Sequence, residues 1–423
     1  MIKYGTIVLL LLLVISCKKE YTAPVPDVTW PLFDSSGTAP LTSMTRQKIE
    51  GVYAITEGSD AFGESSVMKC SYTANGSDTT YHFSLFCQKE VIYIICEGKR
   101  LDSNILLNGY WRNMVNTETG KIRLTITNSN GASQLLNSTI ADSVSGVTVT
   151  GVYGSGDNPP DKNIVLSHLR KLRTTPTLQI VAHRGGGRTS DLLPASENTV
   201  EVIKLASRFG ATGIEIDARM TKDGVLILYH DETLNDRLIK KNGLVGPIEN
   251  YTYDQLYNLV RLKNGEHIPT LRQALNTVLY NTPLRYVWLD TKLSGSLQKL
   301  IDMQKEYLQL ASAMGRSLEI TIGIPDNEVL QNFQALPDFT NVPSVCELTP
   351  QNVATVNARI WAPRFTLGLQ GADVQNMHAQ GRRVYVWTLD VPDNIKKYMN
   401  EGEFDGILSN YPSAVAYFYY AKQ

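Results

Sequence analysis

The spacing of apolar and polar positions changes near residue 178, and this change divides the chain into two predicted domains. From about residue 46 to 156, apolar and polar residues alternate in short runs such as TYHFSLFCQ and KIRLTIT, and turn signals such as NGSD and NSNG separate them. Alternation with a period of two and frequent turns are typical of antiparallel strands. We therefore expect an all-β domain here, either a sandwich or a small barrel.

Short apolar strands alternate with helical stretches over residues 178–423, for example LQIVAH, GIEIDAR and VLILYH with ENTVEVIKLASRFGA. This alternation predicts an α/β TIM barrel. No GxGxxG sequence follows a predicted strand, which disfavours a dinucleotide-binding fold. The segment MTKDG is too short for an ordinary crossover between parallel strands. The strands on either side of it therefore either lack a helix between them or form a hairpin.

The first 17 residues, MIKYGTIVLLLLLVISC, predict an export signal. Their apolar run is shorter than the roughly 20 residues that span a bilayer. LVISC resembles a bacterial lipobox, which implies a lipidated Cys17 that anchors the protein to a membrane of the cell envelope, on its periplasmic or its surface face. The alternative is an ordinary signal peptide in which the cysteine is accidental.

Two further segments are expected to be irregular. Residues 18–45 are rich in Pro, Ser and Thr and predict a flexible tether. Residues 157–177 begin with the turn-forming stretch DNPPDKN and predict a linker between the two domains.

Composition narrows the possible functions. The chain is 43% apolar and 19% charged, as in globular proteins, and its net charge of −1 gives no general reason to expect nucleic-acid binding. An exported protein could form one disulfide among Cys70, Cys87 and Cys96, although buried free thiols are equally consistent with their positions. No CxxC or HxxH spacing suggests a zinc site.

The stretch GIEIDAR places two carboxylates in an apolar strand. Glu215 and Asp217 are two residues apart and therefore point to the same face of the strand. Burying both without a cation is costly, since each loses hydration and they repel each other. A Ca²⁺ or Mg²⁺ ion would satisfy them. A network of Arg and Lys partners is the alternative.

Other polar side chains stand at the carboxyl ends of predicted strands, the ends that meet at the active-site face of a TIM barrel. They are His183, Arg184, His230, Asp290, Lys292 and Trp387. Two histidines suit an acid and a base. A cation together with Arg and Lys suits the developing charge of phosphodiester cleavage.

The order of motifs resembles the glycerophosphodiester phosphodiesterase family over roughly residues 178–420. HRG begins at His183, ENT at Glu197, EID at Glu215, TKDG at Thr221 and HD at His230. The later motifs are IPTL, VWT and DGILSNYP, which begin at Ile268, Val386 and Asp405.

This resemblance implies a barrel of the phospholipase-C-like type that releases glycerol 3-phosphate and an alcohol from a glycerophosphodiester. Glu215, Asp217 and Asp290 match the metal ligands, His183 and His230 the base and the acid, and Arg184 and Lys292 the groups that bind phosphate. Trp387 is expected to stack on the glycerol moiety, or else to pack in the core. No protein partner is implied.

The chain also departs from the family pattern. Asp290 stands where Glu is usual, the loop GGRTSDLLPAS is long, LDVPD replaces the Asn that usually follows VWT, and SN replaces an acidic residue after DGI. Residues 231–260 match an insertion over the barrel mouth, where Tyr251, Tyr253 and Tyr257 either pack together or contact the alcohol headgroup. Phospholipase chemistry, or a non-catalytic surface lipoprotein that binds through its β domain, are the alternative functions.

Overall fold

The computed structural model describes residues 24–89, 91–137 and 146–422. The predicted export signal, including Cys17, lies outside these residues. Within them, no helix combines the length and the apolar character needed to cross a membrane.

The N-terminal domain is a closed antiparallel barrel, so the barrel rather than the sandwich is correct. Each strand of this barrel pairs with the next along the chain, and the last pairs with the first. In the described residues the strands are β2 (Gly51–Glu57), β3 (Ser65–Asn75), β4 (Asp78–Cys87), β5 (Ile92–Leu101), β6 (Asn104–Asn113), β7 (Thr119–Ile126), β8 (Thr148–Tyr153) and β9 (Lys162–Arg170). Their inward apolar side chains, such as Phe83, Leu107 and Leu166, fill the interior.

The predicted tether 18–45 is wrong for its described part. Strand β1 (Thr38–Pro40) pairs with β5, and the helix α1 (Ser43–Ile49) begins within this segment. Phe33 and Leu41 are both only 4% exposed. Burial of these apolar side chains stabilises the packing of the segment, although its content of Pro, Ser and Thr is typical of a flexible chain. Two further short helices, α2 (Ser59–Phe62) and α3 (Ala132–Asn137), lie in connections of the barrel.

The predicted linker 157–177 is also wrong over residues 162–170, because these residues form β9. Strand β9 pairs with β8 and β2 and thereby closes the barrel. Its Ile164 and Leu166 are fully buried in the barrel core. The β domain therefore extends to Arg170 instead of ending at residue 156.

The C-terminal domain is a TIM barrel, as predicted. Its parallel strands in the described residues are β10 (Gln179–Ala182), β11 (Gly213–Met220), β15 (Tyr286–Thr291), β16 (Glu319–Ile324), β17 (Ser344–Cys346), β18 (Ile360–Trp361), β19 (Arg383–Val386) and β20 (Gly406–Ser409). Pairing of β10 with both β11 and β20 closes the barrel. The surrounding helices are α4 (Val200–Ala206), α6 (Leu271–Asn276), α7 (Gln298–Ala313), α8 (Asn327–Gln334), α9 (Pro350–Thr355), α10 (Gly371–Ala379), α11 (Pro392–Glu401) and α12 (Pro412–Ala421).

The MTKDG segment forms a hairpin. Strand β12 (Leu226–Leu228) runs antiparallel to the end of β11, so that Ala218 pairs with Leu228. The insertion at residues 231–260 follows, with β13 (Thr233–Leu234), β14 (Gly246–Pro247) and α5 (Tyr253–Leu259). Its Leu234, Ile248 and Leu256 belong to a small hydrophobic cluster that also includes flanking residues such as Ile227 and Ile268.

The two barrels pack against each other through a shared hydrophobic cluster. Phe86 and Tyr93 of the β domain belong to the same buried cluster as Phe209 and the apolar side chains of α12. The four cysteines in the described residues are free thiols, and Cys87, Cys96 and Cys346 are buried. No disulfide therefore supports this packing among the described residues.

Candidate active site

Three carboxylates converge at the carboxyl ends of β11 and β15. Asp217 and Asp290 are direct neighbours in the parallel register, and Glu215 lies one step below Asp217 on the same face of β11. Oxygen atoms of the three side chains lie within 4.8 Å of one another. Burial, together with the nearby charges of Asp217 and Asp290, raises the pKa of Glu215 well above its usual value. Burial also raises the pKa of Asp290.

These carboxylates have the donor set of a hard divalent cation. Glu215 Oε1, Asp217 Oδ1 and Asp290 Oδ1 are buried and have no hydrogen-bond partner. Lys292 Nζ lies 2.6 Å from Asp290 Oδ2 and 3.6 Å from Asp217 Oδ1. A single ammonium group does not balance three carboxylates, so the ion-pair alternative leaves surplus negative charge. The residues fit a Ca²⁺ or Mg²⁺ ion bound through oxygen.

Asn198 holds the central carboxylate in place. Its side-chain amide donates to Asp217 Oδ2 at 2.7 Å and accepts from the Asp217 backbone N–H at 3.1 Å. Thr199, and not Asn198, caps helix α4 by accepting from Val202 N–H. The side chain of Asn198 is therefore free to point into the site.

His183 lies just after β10 and faces the acidic cluster. Its Nε2 is 3.7 Å from Glu215 Oε2, and its Nδ1 is 2.8 Å from Asn410 Oδ1. Burial and the adjacent Arg184 guanidinium lower the pKa of His183 to about 3. The imidazole is therefore neutral at physiological pH.

His230 has a different partner. Its Nδ1 lies 2.7 Å from the carboxylate of Asp231. Asp231 also accepts hydrogen bonds from Arg237 and Asn235. Burial raises the pKa of Asp231, but its hydrogen bonds outweigh burial and lower this pKa below its usual value. A carboxylate only accepts hydrogen bonds, so the Nδ1 of His230 carries a proton and donates it to Asp231.

Arg184 connects the first loop of the barrel to two acidic residues. Its backbone is left-handed, with φ of 54°, and this turn directs its N–H to Glu215 Oε2 at 2.7 Å. Its guanidinium donates to Glu197 Oε1 at 2.7 Å. Glu197, which is 3% exposed, also pairs with Arg237 of the insertion.

Trp387 follows β19 and is half-buried. Its Nε1 donates to the Ala362 carbonyl oxygen at 2.8 Å, and the Arg364 guanidinium lies 4.8 Å from its ring centroid. The tyrosines of the insertion contact residues in it or next to it. Tyr257 stacks on His267 with ring centroids 3.9 Å apart, and the Tyr251 hydroxyl donates to the Val245 carbonyl oxygen.

The structure brings the predicted side chains to one face of the barrel. His230 is close enough to affect the pKa values of both His183 and Asp290. Sequence reasoning quoted Glu197, Asn198 and Asn410 as parts of motifs without giving them a role in the site, and it missed Arg237. A further omission is Glu347, directly after β17, whose pKa is raised by burial and by Asp290. Glu197, Asn198 and Asn410 stand in quoted motifs, whereas Arg237 and Glu347 lie in none of them.

Comparison with known proteins identifies the family. The model of the "Glycerophosphoryl diester phosphodiesterase family" matches residues 183–414, which is more than half of the chain. The chain belongs to this family. A relative in Caldanaerobacter subterraneus, "Glycerophosphodiester phosphodiesterase", is 25% identical over 248 residues, which are 56% of this chain and 95% of the relative.

Mammalian members of the glycerophosphoryl diester phosphodiesterase family match over a shorter region. "Glycerophosphodiester phosphodiesterase 1" is 37% identical in Rattus norvegicus over 26% of this chain, and 32% identical in Homo sapiens over 34% of it. The chain spans 33% of the rat protein and 43% of the human protein.

Solved structures of similar proteins cover a little more than half of the chain. A glycerophosphodiester phosphodiesterase from Parabacteroides distasonis is 23% identical, with a TM-score of 0.45, over 56% of this chain and 95% of that one. An Oleispira antarctica phosphodiesterase in complex with the product sn-glycerol-3-phosphate is 19% identical, with a TM-score of 0.41, over the same shares of the two chains.

Proposed function

We propose that this protein hydrolyses glycerophosphodiesters to glycerol 3-phosphate and an alcohol, in a reaction that depends on a divalent cation. One observation carries the proposal: three clustered carboxylates share a face of the barrel with two histidines whose Nδ1 partners differ, an amide for His183 and a carboxylate for His230. Membership of the family supports the substrate class.

The two histidines divide the proton transfers between them. Neutral His183 offers the lone pair of Nε2 to the proton of the attacking water or hydroxyl group. His230, which Asp231 orients through Nδ1, directs Nε2 as the proton donor to the oxygen of the departing alcohol. The different hydrogen-bond partners of the two Nδ1 atoms thus favour His183 as the base and His230 as the acid.

The charges around the cluster suit a phosphodiester. Glu215, Asp217 and Asp290 would hold Ca²⁺ or Mg²⁺, which supplies positive charge next to the phosphoryl oxygens. Lys292 and Arg184 provide further positive charge at the same face of the barrel, and Arg184 Nε is buried without a partner. Trp387, of which one face is covered by Arg364, offers its remaining surface to the glycerol moiety.

A direct assay tests the proposal. Soluble protein starting after Cys17 is incubated with glycerophosphocholine, glycerophosphoethanolamine or glycerophosphoinositol, and glycerol 3-phosphate is measured with and without EDTA. We expect release that EDTA abolishes and that His230→Ala reduces roughly 100-fold or more. The control His267→Ala alters a histidine that stacks on Tyr257 in the insertion. Absence of release from every diester with Ca²⁺ or Mg²⁺ present would refute the hydrolase.

We also propose that Cys17 carries a lipid that anchors the protein in a bacterial cell envelope. The lipobox-like LVISC and the short apolar run before it support this proposal. Labelling with a radioactive fatty acid should mark the full-length protein but not Cys17→Ala, and the variant should leave the membrane fraction. Equal labelling of both proteins would exclude lipidation at this residue.

A further inference from the structure

Asn410 and Asp390 form a hydrogen-bonded chain that ends on His183. Asn410 follows β20, is 2% exposed, and places Oδ1 2.8 Å from His183 Nδ1. Its Nδ2 donates to Asp390 Oδ2 at 2.6 Å, and its backbone N–H donates to Asp390 Oδ1 at 2.9 Å. Asn410 thus holds Asp390, which follows β19, through two hydrogen bonds.

The chemistry of these groups fixes the orientation of the Asn410 amide. A carboxylate only accepts hydrogen bonds, so the Asn410 NH₂ group must face Asp390 and its carbonyl oxygen must face His183. The opposite orientation would set the amide carbonyl oxygen against Asp390 Oδ2, where two acceptors would face each other without a proton between them. Ser409 also donates to Asp390, at 3.2 Å, and Arg188 lies 3.9 Å from it.

The orientation of the amide in turn determines the tautomer of His183. A carbonyl oxygen only accepts, so His183 must carry its proton on Nδ1. The lone pair of the neutral ring is then on Nε2, the atom that faces Glu215 and the site. We propose that Asn410 and Asp390 are positioning residues that hold His183 in the Nδ1–H tautomer. This inference rests on the proposed function only where it concerns the rate of hydrolysis.

Arg188 connects the chain to the long loop that follows the HRG motif. Its guanidinium donates to both oxygens of Asp191 at 3.0 and 2.9 Å, and to the Tyr411 hydroxyl at 3.0 Å. Tyr411 also donates to Asp191 Oδ1. The loop is thus fixed beside Asp390, which limits the movement of the carboxylate that orients Asn410.

The tautomer is measured without substrate. In protein with ¹⁵N-labelled histidine, long-range ¹H–¹⁵N spectra at neutral pH distinguish a protonated ring nitrogen from an unprotonated one, and His183→Ala identifies the signals. We expect protonated Nδ1 and unprotonated Nε2 for His183 in the wild type. Asn410→Ala should give a mixture of tautomers. A wild-type His183 with its proton on Nε2 would overturn the proposal, whether or not the protein hydrolyses diesters.

Kinetics provide the second measurement. Asn410→Ala should lower kcat roughly 10- to 100-fold, as loss of a group that orients a functional histidine commonly does, while KM changes less than about twofold. Asn276→Ala, at a residue bound to Tyr307 on the outside of the barrel, is the matched control. Unchanged kcat and tautomer in Asn410→Ala would contradict a positioning role.

Exchanging the side chains of Asp390 and Asn410 distinguishes a positioning role from a general loss of structure. Asn410→Asp alone places two carboxylates together and should lower kcat at least as much as Asn410→Ala. In the double variant Asp390→Asn with Asn410→Asp, the new carboxylate accepts from His183 and from the new amide. The Nδ1–H tautomer should be kept, and most of the lost kcat should then return. A double variant that folds but is no better than Asn410→Asp would refute the chain.

Discussion

Glu215 is 3% exposed and lies beside two other carboxylates, so its protonation affects the stability of the fold. Its pKa is raised from the usual 4.5, chiefly by burial and then by Asp217 and Asp290. A group that holds its proton more tightly when folded contributes stability below its unfolded pKa, and this stability is lost as the pH rises through the folded pKa. In EDTA, the melting temperature should therefore fall as the pH rises from about 4.5.

Two comparisons by differential scanning fluorimetry check this pH dependence. Glu215→Gln, which has no charge to bury, should show a smaller fall over the same range. Ca²⁺ or Mg²⁺ should raise the melting temperature of the wild type most at neutral pH, where the carboxylates are most readily deprotonated for binding. Identical pH profiles for wild type and variant would show that Glu215 is not the titrating group.

Glu197 is the residue whose loss should destabilise the site most. It is 3% exposed and pairs with the guanidinium groups of Arg184 and Arg237. Glu197→Ala should lower the free energy of unfolding by about 3 kcal/mol, because it leaves the largely buried Arg184 without its counter-charge. The matched control is Glu306→Ala, which breaks the exposed pair with Arg272 and should cost less than about 1 kcal/mol.

Urea denaturation of both variants measures this difference. Equal losses in the two variants would mean that the Glu197 pairs contribute no more than a surface ion pair.

Site residues whose arrangement follows from a local pattern could be predicted from the sequence, and residues brought together by long-range contacts could not. Glu215 and Asp217 share a face through the period of one strand, and the parallel register then sets Asp290 beside Asp217. The contact between His183 and Asn410 joins residues 227 positions apart. It depends on the closure of the barrel by β20 and on the turn after it, which no local pattern specifies. The contact between Asn198 and Asp217 likewise joins separate elements, 19 positions apart in the sequence.

The local sequence also could not settle the structure of two elements, the strand β9 and the hairpin of β11 and β12. The alternation in KNIVLSHLR was visible, but the preceding DNPP favoured a linker, and only pairing with β2 and β8 makes these residues a strand. The hairpin of β11 and β12 was one of two possibilities left by the shortness of MTKDG. Local propensity could not choose between them because strand pairing is a tertiary interaction.

This hairpin carries His230, and Arg219 at the end of β11 secures it. The Arg219 guanidinium donates to the carbonyl oxygen of His230 at 3.2 Å and to Glu249 Oε1 at 2.7 Å. Arg219→Ala should release the backbone of His230 and lower kcat roughly 10-fold, since small displacements of a catalytic group reduce rates strongly. Steady-state kinetics test this, with Arg100→Ala in β5 as the control. A kcat equal to that of wild type would show that the hairpin holds His230 without Arg219.

At the scale of the whole molecule, the β barrel is part of the core that supports the active-site domain. Phe86 of β4 is 1% exposed and belongs to a hydrophobic cluster that extends through α4 and α12 of the TIM barrel. The Ser65 side chain also lies 2.7 Å from the Tyr417 hydroxyl of α12, and Arg112 donates to the Leu192 carbonyl oxygen in the first loop of the TIM barrel. Contacts of this kind predict that the two domains unfold together.

Phe86→Ala tests this coupling. Removing the ring leaves a cavity where the two barrels meet and should lower the free energy of unfolding by about 3 kcal/mol. Calorimetry should show one transition in wild type and variant, and the temperature at which diesterase activity is lost should fall together with that transition. Leu169→Ala, on the exposed side of β9 with 59% exposure, should change neither temperature appreciably. Two separate transitions, with activity following only the one unaffected by Phe86→Ala, would instead mean that the TIM barrel folds independently of the β barrel.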